Sequence, residues 1–177
     1  MTITMIMTMS LNGKTTRGEN PEDTSWKSKE DQEFFYRLHR KNPLIVMGRK
    51  TYESVKKHMV FRKGQLRIVM THHPESYIQE SVPHILEFTD ESPKHLAERM
   101  YTNGYKTMLL VGGGTTNTAF LKAGLVNEAY ITIEPVLFGK GKPLVGEDVP
   151  LLNLTLIQIR RLNLKGTLLL HYSVSYL

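Results

Sequence analysis

Cysteine is absent from the 177 residues, which removes disulfides, thiolate catalysis and cysteine-ligated zinc together. No uninterrupted apolar run approaches the ~20 residues needed to cross a bilayer, so a membrane-spanning helix is not expected. The opening stretch Met1 to Ser10 is apolar but has no basic start and no small-residue cleavage site, so a secretory signal is not expected either. Gly-x-Ser-x-Gly does not occur, and no serine–histidine–acid set has nucleophile-elbow context, which leaves hydrolase chemistry of that type without support. Internal repeats, low-complexity stretches and Pro/Gly-rich linkers are also missing. What is there is ordinary: 40% hydrophobic and 23% charged residues. That composition predicts a globular cytoplasmic protein with one domain over residues 1–177.

The formal charge of +6 is unevenly spread. Lys27 to Arg67 holds twelve Lys/Arg against four acids, a net of +8, whereas Glu75 to Glu98 carries six acids and one lysine. Such a local positive field suits a phosphorylated small molecule or a nucleic-acid backbone. Nucleic acid is the weaker option, because the basic segment has no zinc-finger spacing and its aromatics sit together on one predicted helix. The seven histidines (39, 58, 72, 73, 84, 95 and 171) are scattered, and adjacent His72 and His73 would point to opposite faces of a strand, so no metal site is expected.

Short apolar runs from Ile3 to Met9, Leu44 to Gly48, Leu66 to Thr71 and Thr107 to Val111 read as strands covered on both faces. Between them, Ser28 to Arg40, Pro93 to Tyr101 and Thr116 to Ala123 read as helices; Pro93 sits in a first turn and Gly124 gives a C-terminal stop. The last third turns β-rich: Ala129 to Phe138, then Leu154 to Leu162 and Thr167 to Tyr176 joined by a hairpin at Asn163–Gly166. The pattern predicts an α/β fold with one mixed central sheet ending in an antiparallel strand pair. The polar loop Leu11 to Ser25 is expected to be mobile over a site.

Three local signals carry chemistry. In Met108-Leu-Leu-Val-Gly-Gly-Gly-Thr-Thr-Asn117 a strand runs through three glycines into a helix start, where free N–H groups favour phosphate. Three glycines exceed what a turn requires, which points to ligand approach, with a tight turn as the alternative. Gly48-Arg49-Lys50-Thr51 also follows a strand and offers two cations and a hydroxyl to a second phosphate, or else forms a basic surface turn. Ligands in open sheets of this kind bind beyond the carboxyl ends of strands, so the two turns together fit a dinucleotide. Third, Ser28 and Asp31 have capping-box spacing, yet Asp31, Phe34, Phe35 and Leu38 share one helix face. An acid on that apolar stripe is either a cap or a proton donor with a raised pKa.

The order of these signals resembles the dihydrofolate reductase superfamily, and more closely the reductase domain at the C-terminal end of the bifunctional riboflavin-biosynthesis deaminase/reductase. Ser10-Leu-Asn-Gly-Lys14, Gly48-Arg-Lys-Thr-Tyr-Glu-Ser54, the triple glycine and Gly124-Leu-Val-Asn-Glu128 followed by Pro135-Val-Leu-Phe-Gly139 carry the likeness. The resemblance implies a three-layer α/β/α fold, a cis peptide between Gly112 and Gly113, a homodimer with an interface in Leu154–Leu177, and NADPH as cofactor. By the same resemblance, Thr8 and Ser10 would lie near the nicotinamide. Gly48, Arg49, Lys50 and Thr51 would hold the 2′-phosphate and pyrophosphate, and Thr71 and His72 the adenosine. Gly112, Gly113, Gly114, Thr115, Thr116 and Asn117 would cradle the pyrophosphate. Trp26, Asp31, Phe35 and Arg40 would contact a small-molecule substrate, with Asp31 as the catalytic group. The implied reaction reduces an aminouracil ribosylamino phosphate, with dihydrofolate reduction or a non-catalytic NADPH-binding role as alternatives.

Overall fold

The described residues, 1–176 of the computed structural model, follow the order β1 (Thr2–Ser10), α1 (Lys29–Lys41), β2 (Leu44–Gly48), α2 (Arg49–Val55), β3 (Leu66–Met70) and β4 (Leu86–Thr89). Then come α3 (Pro93–Thr102), β5 (Thr107–Leu110), α4 (Gly114–Lys122), β6 (Glu128–Glu134), β7 (Asn153–Arg161) and β8 (Leu168–Ser175). All eight strands form one sheet in the order β4-β3-β2-β5-β1-β6-β8-β7. β1 to β6 pair in parallel, and β8 and β7 close the sheet antiparallel.

Alternation along the strands divides the core. Ile3, Met5, Leu44, Val46, Ile68, Met108 and Leu110 face α3 and α4, where Leu96, Met100 and Phe120 are at most 1% exposed. Ile6, Ile45, Met47, Val69 and Leu109 face the other way, against Phe34 of α1 and Tyr52 of α2. Each fully buried side chain of this size contributes ~1.5–3 kcal/mol. The result is the expected three-layer α/β/α fold, and no helix among the described residues is long and apolar enough to span a membrane.

Most expected elements are present, and the hairpin turns at Asn163–Gly166 with Gly166 at φ +99°. The peptide between Gly112 and Gly113 is cis. Three features differ. β4 has no counterpart in the sequence reading: it is four residues long, and its Glu87 points out to Arg99 of α3. The basic turn at Gly48–Thr51 continues as a two-turn helix. The loop Leu11–Ser25 is tied down, with Thr15 and Gly18 donating backbone N–H groups to the carbonyls of Lys142 and Lys140 at 2.8 and 2.9 Å.

Candidate active site

The parallel strands place the ends of β1, β2, β3, β4 and β5 on one rim, and a continuous cleft of ≈ 1310 Å³ opens there. One wall is the pair of strand-end turns. Gly48 donates its N–H to the carbonyl of Gly112 at 2.8 Å, so the two segments, 64 positions apart, touch directly. Arg49, Lys50 and Thr51 then line the cleft beside Gly113, Gly114, Thr115 and Thr116. No side chain caps α4 among the described residues, which leaves its first-turn amides free toward the cleft.

The glycines have separate reasons. A Cβ on Gly112 would sit 2.7 Å from the Met7 sulfur, and one on Gly114 would sit 2.8 Å from the carbonyl oxygen of Pro143. Those two are therefore required by the protein's own packing. Only Gly113, whose added Cβ would meet nothing closer than Thr51 Oγ1 at 3.4 Å, leaves room for a ligand.

The opposite wall is α1. Ser28 is its N-cap, accepting from the Asp31 N–H at 3.3 Å. The reciprocal half of a capping box is missing, because Ser28's own N–H donates to Glu134 of β6 at 2.7 Å rather than to Asp31. Glu134 is 2% exposed and also accepts from the hydroxyls of Ser28 and Thr167, both at 2.7 Å. The Asp31 carboxyl is thereby released from capping. It is 4% exposed, lines the cleft and accepts from Thr8 Oγ1 at 2.8 Å. Burial pushes its pKa above the usual carboxylate value, against hydrogen bonds from Thr132 and Thr8 and the charge of Lys27. Burial likewise holds the Lys27 ammonium below the ordinary lysine value, opposed by Asp31 and Glu134.

The cleft brings together Thr8, Asp31, Phe35, Arg40, Gly48, Arg49, Lys50, Thr51, Thr71, His72, Gly113, Gly114, Thr115 and Thr116. Four residues expected at the site lie elsewhere. Ser10 is fully buried and bonds Asn12 at 2.8 Å and the Lys14 N–H at 3.0 Å, bracing the turn after β1. Trp26 packs edge-on to Phe138 and donates its indole N–H to the Asp23 carbonyl at 3.0 Å. Gly112 is behind the wall against Met7. Asn117, 0% exposed, faces inward and donates to the Leu144 carbonyl at 3.3 Å, so it joins α4 to the following loop instead of facing a pyrophosphate.

Arg49 is in place but already engaged: one of its nitrogens donates to both oxygens of Glu53 at 2.8 Å, and Tyr77 donates to the same carboxylate at 2.6 Å. Sequence reading missed Glu134 as a clamp, and His39 and Arg67 as cleft residues. For Arg67 the available signal was a lone charge at the second position of an otherwise apolar five-residue strand.

Comparison with known proteins agrees with this architecture. The family model of the RibD C-terminal domain matches residues 1–167. The Bacillus subtilis (strain 168) protein YwjB, itself uncharacterized, is 32% identical over 125 residues, which are 70% of this chain and 65% of YwjB. The match thus spans slightly under two thirds of that relative's length. Among solved structures, a pyrimidine reductase-like protein from Corynebacterium diphtheriae aligns over 99% of this chain and 92% of its own, with TM-score 0.80 at 16% identity. Dihydrofolate reductase from Enterococcus faecalis, complexed with NADP(H), aligns over 99% and 97% with TM-score 0.66 at 18% identity. With the family model covering nearly the whole chain and the sheet order now described, the protein belongs to the RibD C-terminal domain family and has the dihydrofolate reductase-like fold.

Proposed function

We infer that the protein is an NADPH-dependent reductase of a small heterocyclic, ribosylated substrate of the 5-amino-6-(5-phosphoribosylamino)uracil type. The observation that carries this reading is the single cleft joining two phosphate-friendly strand ends to a buried carboxyl. Its ≈ 1310 Å³ exceeds the ~300–1,000 Å³ usual for one small ligand and leaves room for a dinucleotide beside a substrate. The residues present fit the cofactor: the open face at Gly113, the free amides of α4 and the cations Arg49 and Lys50 would hold its phosphates. When bound, NADPH supplies the hydride.

The chain's own part is orientation and proton supply. Asp31, held by Thr8, would hydrogen-bond the substrate ring and keep a proton at neutral pH more readily than a solvated carboxyl does. Glu53 fixes Arg49 at the rim while the rest of its guanidinium remains available to a 2′-phosphate. Loss of nicotinamide absorbance with the aminouracil ribosylamino phosphate, and little with dihydrofolate, is the expected result; no turnover with either rejects the reading. Arg49→Ala should weaken NADPH at least tenfold while leaving NADH within about threefold, since a hydrogen bond to a charged group contributes ~1.5–3 kcal/mol. Equal loss for both cofactors would remove Arg49 from 2′-phosphate recognition.

The same reading includes a homodimer. β7 pairs only with β8, and all nine of its residues are exposed. A bulge between Leu156 and Gln158 resets the register, so Leu154, Leu156 and Ile159 pair with Val174, Tyr172 and Leu170 and share the face that carries α3 and α4 farther along the sheet. No helix covers them, and each is about half exposed. A long apolar edge of this kind requires a partner, and a second copy is the occupant proposed. Leu177, the end of the expected interface segment, lies outside the described residues. Light scattering should show a dimer for the native chain and a folded monomer for Ile159→Glu; a native monomer at high concentration would overturn this.

A further inference from the structure

Asp31 shares its wall of the cleft with a second ionisable group. Lys27, at the position before the Ser28 cap of α1, lines the same cleft four residues earlier in the chain. Its backbone is set by a bond from its N–H to the Thr24 carbonyl at 3.0 Å. Its ammonium lies over the Trp26 ring, 5.4 Å from the centroid. Trp26 is itself pinned by Phe138 and by the Asp23 carbonyl. The indole that stays out of the cleft is thus the platform for a cation that lines it.

The neighbouring acids do not take that charge up. Lys27 makes no ion pair among the described residues. Burial works against its ammonium, and the charges of Asp31 and Glu134 offset part of that cost from a distance. Both acids are held by other groups. Glu134 accepts from Ser28 and Thr167, while the Asp31 carboxyl is held by the Thr8 hydroxyl at 2.8 Å and by Thr132. An ammonium has three N–H donors and no acceptor, and here they are available to whatever occupies the cleft.

We propose that Lys27 reads the edge of the substrate ring: its ammonium donates to a ring carbonyl oxygen while the Asp31 carboxyl bonds the adjoining ring N–H, which selects a cyclic amide or ureide over an amidine. Donor arithmetic fixes the complement. Lys27 only donates, so it requires an acceptor, whereas Asp31 has an oxygen that accepts in either protonation state. A donor beside an acceptor matches O=C–N–H, the edge of a pyrimidinedione. An amidine edge satisfies Asp31 but sets a second donor against the ammonium, which leaves a desolvated charge unpaired. Asp31 by itself would favour the amidine, so Lys27 is the repulsive element that reverses the preference of the acid. The inference rests on the proposed reductase reading for the ring being a pyrimidine; the order of donor and acceptor rests on the site.

Binding to the intact chain is followed by ligand-observed NMR with two rings of similar size, 5-aminouracil and 2,4-diaminopyrimidine. The native protein should favour 5-aminouracil at least tenfold. Lys27→Met keeps an apolar stem against Trp26 and removes the donors. It should weaken 5-aminouracil at least tenfold and tighten 2,4-diaminopyrimidine by a similar factor. Should that variant fail to fold, Lys27→Gln decides: its amide both donates and accepts, so the two rings should bind within about threefold of each other. A lysine that only braces Trp26 predicts one unchanged preference in all three proteins, and that outcome overturns the proposal. A native chain that binds neither ring, or prefers the diamine, overturns it too. NADPH fluorescence on the same samples separates the two readings. A lysine-dependent preference without NADPH binding sinks the reductase and leaves Lys27 as the reader of the ring edge. NADPH binding with no such preference sinks this inference alone.

Discussion

Asp31→Asn should lower kcat for the preferred substrate by ~10²–10⁴-fold, the range for loss of a positioned proton donor. The substitution is a clean one in this protein. The helix cap at Ser28 uses the backbone N–H of Asp31, and Ser28's own N–H is taken by Glu134, so the amide variant strips no group from the start of α1. The carbonyl oxygen of the new amide can still accept from Thr8. The folded-state pKa of Asp31 is raised, so its contribution to stability is fully present below the unfolded carboxylate value and is lost as pH rises through the folded value. At neutral pH the variant should therefore melt no lower than the native protein while losing activity. The native rate should fall as pH rises through the Asp31 titration, and the variant should lose that limb. A kcat within threefold of native would remove Asp31 from proton supply.

Gly48→Ala is the second large effect expected. Its Cβ would lie 2.3 Å from Thr116 Oγ1, and the backbone has no room to retreat because the Gly48 N–H is bonded to Gly112 at 2.8 Å. Overpacking of this kind costs ~1–3 kcal/mol, or roughly 2–12 °C in Tm at this chain length. Because the contact joins the two turns of the proposed cofactor wall, NADPH affinity should fall with stability, by tenfold or more. The compensating change is specific. In Gly48→Ala/Thr116→Ala the offending oxygen is gone and the next neighbour, the residue 116 Cβ at 3.6 Å, is at ordinary contact distance. The double variant should recover most of the Tm. The backbone at Gly48, with φ −84°, suits alanine, so conformational strain cannot mimic the result. A double variant no more stable than the single one would show that the contact is not the cause.

These contacts also show what was legible from the chain alone. β2, β3 and β5 were readable because both faces are largely buried, so most of their residues are apolar and the run needs no partner to be recognised, while in β1 the Ile and Met residues between Thr2 and Ser10 carried the signal. β4 was not, since Glu87 breaks its apolar pattern and is satisfied by Arg99, a residue twelve positions away on another element. The same non-locality hid Glu134. Capping spacing pointed to Asp31 as the partner of Ser28, but a carboxylate 106 residues on took that place and left Asp31 for the cleft. The glycine triplet was correctly seen as more than a turn requires, while the reason for two of its members lies in Met7 and Pro143. Asn117 failed for a simpler reason: a helix start tells which residues lie near an anion, but the helix phase turns this one inward.

The position of β1 has a consequence for biogenesis. It lies between β5 and β6, its Ile3 amide bonded to Asn127 124 residues later, so it has no partner strand until more than a hundred further residues have been made. At ~5–20 residues per second, a ribosome needs roughly 5–25 s to travel from the first strand to those neighbours. During that interval Ile3, Met5 and Ile6, all buried in the finished fold, have no sheet to enter. Completion of the rim that carries the cleft thus waits on segments more than a hundred residues downstream of β1, with the slow kinetics expected of parallel pairing between distant segments.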